Sequence, residues 1–141
     1  MSKSKSVKIA DVGLAKNQKE ITGTLAGTPL YMAPEILASK KYDSAADIYS
    51  FGITMWEMWY GKDLFSECHG LDTGDLVKKV REGLRPTHNI TCRLPLERWK
   101  KVMECCWAED SRERPNAAWC EKVLKPLLNQ GLLDHFLSLK Y

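Results

Sequence analysis

The 141 residues contain no apolar run near the length of about 18 that a membrane-spanning helix needs. The opening stretch, MSKSKSVKIAD, has lysines but no apolar segment behind them of the kind that marks a secretory leader. Neither secretion nor membrane spanning is expected, and a cytoplasmic protein is. Charge of one sign is also lacking. Twenty-one basic and 18 acidic residues leave a formal charge of +3 with no concentrated basic block, so no nucleic-acid partner is expected. The five cysteines are odd in number and have no paired spacing, which argues against a disulfide framework or a zinc site. Cys105 and Cys106, in MECCWAED, read as small core residues on a helix. Internal repeats and low-complexity tracts are absent too. What is present is ordinary globular composition, 44% hydrophobic and 28% charged, enough for one domain with a core.

Patterning along the chain predicts a mainly α protein with very little β. After a polar start at 1–6, SVKIAD offers one short strand through Val7 and Ile9. From there to Glu35 no period is sustained, as in a long functional loop. Within it, GTPLYMAPEI (27–36) places Pro29 and Pro34 where neither a helix interior nor a central strand would accept them. Helices follow. The first spans 43–60, with Asp43 and Ser44 as candidate N-caps and Gly61 as its stop. It carries Ile48, Phe51, Ile53, Met55, Trp56, Met58, Trp59 and Tyr60 on nearly every side, so it belongs inside something. A short amphipathic helix in DTGDLVKKVREG presents Leu76, Val77 and Val80 and stops at Gly83. In PLERWKKVMECCWAED, Leu96, Trp99, Met103 and Cys106 form one apolar face. Pro115 suits the first turn of a last helix through Trp119, Val123 and Leu124, which Pro126 is expected to end or kink.

The ordered string DVGLA, GTPLYMAPE, DIYSFGITMWEM and RERP resembles the second half of a eukaryotic protein kinase domain over about residues 7–128. The implied fold is a partial protein-kinase large lobe, with an activation segment at 11–35, large-lobe helices at 43–128 and a helical tail at 129–141. Asp11-Val12-Gly13 looks like Asp-Phe-Gly, and Ala33-Pro34-Glu35 is an unaltered Ala-Pro-Glu. The resemblance implies that Asp11 holds Mg²⁺ beside the phosphates of ATP in the intact domain; its position taken alone favours a loop Asp that caps a turn. Val12 replaces the usual Phe, whose packing sets active and inactive states. Gly27-Thr28-Pro29 is similar to the substrate loop of Ser/Thr-directed kinases, so Thr28 would contact the catalytic Asp and Lys; its bland alternative is a turn threonine. Glu35 would pair with Arg114 of Arg114-Pro115. Asp47 would brace the catalytic loop, or merely offset the dipole of its helix. Thr22 and Thr24, near Lys16 and Lys19, are candidate phosphorylation sites or simply solvated. VREGLRP and CCWAEDSRERP look like the tyrosine-kinase-like and tyrosine groups, and GTPLYMAPE leans to Ser/Thr specificity. His69, His88 and His135 match no motif.

The first half of the pattern is missing. GTLAGTP lacks the spacing of a phosphate loop, and neither Val-Ala-Ile-Lys nor His-Arg-Asp occurs. The 141 residues alone are therefore expected to be inactive, with ATP, Mg²⁺, protein substrates and regulatory proteins belonging to the intact kinase. The rival expectation is a catalytically dead remnant acting as a protein-binding module. Leaving about four large side chains of the 43–60 helix uncovered would forgo about 6–12 kcal/mol, enough to make the isolated chain marginal.

Overall fold

Five α-helices and two short 3-10 turns succeed one another in a computed structural model that describes Lys8 and residues 28–68, 70–88 and 97–127. No strand occurs among the described residues; the strand expected at Val7 and Ile9 lies outside them. A 3-10 turn, Pro29–Tyr31, leads into α1, Pro34–Leu37. The remaining helices are α2, Ala45–Tyr60, α3, Thr73–Arg81, α4, Glu97–Cys106, and α5, Ala117–Leu127, with the second 3-10 turn, Ser111–Glu113, before α5.

The central rod is α2. At its start the Asp43 carboxylate accepts from the Ala45 N–H at 2.9 Å, whereas Ser44, the N-cap residue, makes no side-chain cap bond. At its end Gly61 takes the left-handed conformation, φ 57°, and returns its N–H to the Glu57 carbonyl, the ending that a residue without Cβ allows most cheaply. Tyr49, Ile53, Met55, Trp56, Trp59 and Tyr60 are buried. The solvent face is narrower than the apolar count predicts: Phe51 is 38% exposed and Met58 54%. Two large side chains rather than four are uncovered, so the forgone burial is at most about 3–6 kcal/mol. The other faces are covered by this chain's own helices, chiefly α4, whose Trp99, Val102, Met103 and Cys106 are buried against the same core.

Helix α3 is capped by Asp72, whose carboxylate accepts from the Asp75 N–H at 2.8 Å. Val80 is buried and Leu76 and Val77 are half-buried on the core, as their spacing predicts. Leu96 lies outside the described residues, so the α4 face is seen from Trp99 onward. The start of α5 departs from expectation. Its cap is Asn116, whose side-chain oxygen accepts from the Trp119 N–H at 2.9 Å; Pro115 stands one residue before that cap, because a side-chain acceptor satisfies an orphan N–H that proline cannot. Pro126 lies inside α5, one residue before Leu127, which is buried. Trp119, assigned to the apolar face by spacing, is 38% exposed; the buried residues of α5 are Cys120 and Leu127.

Candidate functional site

The stretch after Thr28 is strapped to α2 by polar bonds. The Ser50 hydroxyl donates to the Tyr31 carbonyl at 2.7 Å, and the Tyr31 hydroxyl donates to Glu57 Oε2 at 2.7 Å. Burial and that carboxylate push the Tyr31 phenol up to about 12, so it remains a donor at neutral pH. Met32, Ala33, Pro34 and Leu37 are buried beneath the turn. Pro34 opens α1, the one helical place where its missing N–H costs nothing.

Glu35 sits in the first turn of α1 and meets Arg114, 79 positions away. Nη1 donates to Oε1 at 2.6 Å and Nη2 to Oε2 at 2.9 Å, a bidentate pairing that only a guanidinium can make. The remaining Arg114 donors reach the carbonyls of Ala108, Ala45 and Glu109. All five N–H donors of a guanidinium are thus taken. The Arg114 side chain is fully buried and that of Glu35 is 14% exposed. A charge so placed is tolerable only with its partner and hydrogen bonds in position.

A second arginine repeats the arrangement, and the sequence pattern assigned it no role. Arg85 donates to the carbonyls of Trp107, Val80 and Leu84 and to Glu109 Oε2, the last at 2.6 Å. The guanidiniums of Arg85 and Arg114 lie over the buried Tyr49 ring, 5.1 and 5.2 Å from its centroid. Burial pushes the Tyr49 phenol up to about 12, against the pull of the two cations. Only a tertiary contact identifies Arg85, because nothing periodic surrounds it in GLRP.

Thr28 immediately precedes the first 3-10 turn. Its carbonyl accepts from the Tyr31 N–H at 3.1 Å, but its hydroxyl makes no cap bond and the residue is exposed. Asp47 is exposed in the first turn of α2, and its side chain has no partner among the described residues. The structure therefore joins Glu35 to Arg114 and leaves Thr28 and Asp47 facing solvent. Asp11, Thr22 and Thr24, like His69 and His135, lie outside the described residues. Among those described, no group of three or more His, Cys, Asp or Glu residues forms a candidate metal site, and no helix is long and apolar enough to cross a membrane.

A family model described as protein tyrosine and serine/threonine kinase matches residues 1–124. The chain is 36% identical, over 95% of its length, to dual serine/threonine and tyrosine protein kinases of Gallus gallus and Xenopus laevis. It is 34% identical, over 92% of its length, to that of Homo sapiens. It spans 14% of the length of each of these relatives. The chain belongs to the protein tyrosine and serine/threonine kinase family.

Proposed function

We propose that these residues are the C-terminal, substrate-facing half of a serine/threonine or dual-specificity protein kinase domain, which transfers a phosphoryl group from ATP to protein hydroxyls. The observation that carries this reading is the bidentate Glu35–Arg114 pair, which anchors the chain seven residues after Thr28 to the helical body. Phosphoryl transfer depends on positioning more than on covalent chemistry. An anchor of this kind holds the acceptor-side loop within the tolerance that in-line transfer needs. The Thr28 hydroxyl, spent on no cap bond, is available to orient the catalytic groups around the acceptor hydroxyl.

Asp11 is the proposed Mg²⁺ ligand. Bound Mg²⁺ neutralises charge on the phosphates of ATP. The 141 residues contain neither the ATP-binding Lys nor the catalytic Asp of the family pattern, so transfer by this stretch alone is not expected. In the whole kinase, Thr28→Ala should lower kcat by roughly 10²-fold, while Thr28→Ser retains most activity. Phosphate transfer from labelled ATP to a Ser/Thr/Tyr peptide pool is the measurement. Undiminished transfer by Thr28→Ala would overturn the assigned role, and absence of transfer by the unaltered whole kinase would overturn the catalytic reading.

A further inference from the structure

Helix α1, the chain that leaves it and the last turn of α3 surround a cleft of about 620 Å³. Two of its carboxylates are already committed: Glu35 to Arg114 and Glu109 to Arg85. Because both arginines rest on the Tyr49 ring, the acidic groups are held by one buried platform. Around them stand Lys40, Lys41, Lys78 and Arg81, none of which forms an ion pair among the described residues. Glu82 is the one lining carboxylate left without an ion-pair partner there. Among the described residues the cleft therefore presents a clear excess of unpaired positive charge, although the chain as a whole is nearly balanced.

The cations are placed by the fold. Ser39 adopts the left-handed conformation, φ 54°, at the end of α1. The Lys40 N–H then returns to the Glu35 carbonyl at 2.9 Å, so the lysine pair leaves from the same turn that carries the anchored carboxylate. Lys78 and Arg81 lie three residues apart, on one face of α3. Compensation of the α3 dipole would favour Lys79 as well, yet Lys79 does not line the cleft. The volume falls in the range of about 300–1,000 Å³ that accommodates ligands far larger than one inorganic ion. The 3-10 turn that follows Thr28 packs directly on α3, which makes the cleft a neighbour of the proposed substrate loop.

We propose that this cleft docks an acidic, carboxylate-rich segment of the protein substrate, away from the residue that receives the phosphoryl group. The word substrate rests on the kinase reading; the docking itself does not. Three of the four cations are lysines, point charges with rotatable donors that make no demand for planar, bidentate geometry. The cleft thus selects charge density rather than one exact sequence, and its binding weakens with salt.

The test uses the whole kinase without nucleotide and a fluorescein-labelled Glu-rich peptide, with its Gln counterpart as control. Fluorescence anisotropy should show the Glu peptide bound at least about tenfold more tightly, the preference fading at high salt. Lys40→Glu and Arg81→Glu should each abolish most of that preference. Lys40→Arg should keep it, as should Lys79→Glu, which alters charge on the same helix outside the cleft. In turnover with acceptor peptides carrying either segment, the reversals should raise KM for the Glu-tailed peptide alone and leave kcat unchanged. Equal affinity for the two peptides overturns the inference. So does equal weakening by Lys79→Glu and Arg81→Glu, or binding of phosphatidylserine vesicles with no Glu-peptide preference. Lost preference with transfer intact removes the docking inference only, and preference intact with no transfer removes the kinase reading only.

Discussion

Gly52, midway along α2, lies so close to α4 that a Cβ placed on it would stand 2.7 Å from the Cys106 Cβ. The same Cβ would meet the Met103 carbonyl oxygen at 3.3 Å and the Trp107 nitrogen at 3.4 Å. None of these atoms is the free end of a flexible side chain, so neither helix can yield locally. Gly52→Ala should gain about 1 kcal/mol of helix propensity and lose about 1–3 kcal/mol to overpacking. A net fall in Tm is expected; a rise would show that the helices part more easily than their contact implies.

Breaking the Glu35–Arg114 pair should be costly from either side. Glu35→Gln leaves a fully buried guanidinium without its counter-charge, and Arg114→Met leaves the carboxylate and three carbonyls without their donor. Each should cost about 3–5 kcal/mol, measured by urea unfolding. The double variant should cost less than the sum, since it strands no charge. Additive losses would mean that the two groups do not act as a pair.

Stability should fall on mild acidification, and His88 is the reason. Its Nδ1 lies 3.0 Å from the Tyr60 hydroxyl, and its ring packs near Trp107. Burial holds its pKa below the usual imidazole value, outweighing Glu104, whose Oε1 is 3.6 Å from Nε2. An unfolded chain takes up a proton at this site as pH falls through about 6.5, while the folded chain resists it. The stabilising contribution is therefore complete above that pH and is lost below it, as pH drops towards the folded pKa. His88→Gln should flatten the dependence of urea midpoint on pH, and Glu104→Gln should steepen it. An unchanged slope in His88→Gln would assign the effect to another group.

The thiols should separate by reactivity. Cys106 and Cys120 are buried with their sulfurs 3.7 Å apart, and burial pushes both thiols above their usual range. Cys68 and Cys105 are partly exposed. Iodoacetamide treatment of the native protein, read by peptide mass spectrometry, should label Cys68 and Cys105 well before the buried pair, because the thiolate is the reactive form. Early labelling of Cys106 would mean that α4 and α5 separate readily.

Local rules account for much of what could be read without coordinates. Gly61 stops α2 because a left-handed residue follows from the chain's own sterics. The Leu76, Val77 and Val80 face is likewise a matter of period. At the beginning of α5, Pro115 and Asn116 both carry start signals, and the cap is the residue with a side-chain acceptor, Asn116. The uncovered surface of α2 is likewise smaller than its apolar count implies, with Phe51 and Met58 the exposed large side chains. Apolar periodicity counts which faces want cover; it does not say that α4 is near enough to supply it.

By itself the sequence settled the helical class and the order of the motifs, since these depend on residue type and spacing along the chain, and the resemblance those motifs carry named Glu35 and Arg114 as a pair to look for. Tertiary structure alone decided that Arg114 spends every donor, that Arg85 shares its Tyr49 platform, and that four cations around one cleft have no ion-pair partner among the described residues. The reason is physical. Desolvation and pairing are properties of what surrounds a charge, and for Glu35 the decisive neighbour lies 79 residues away.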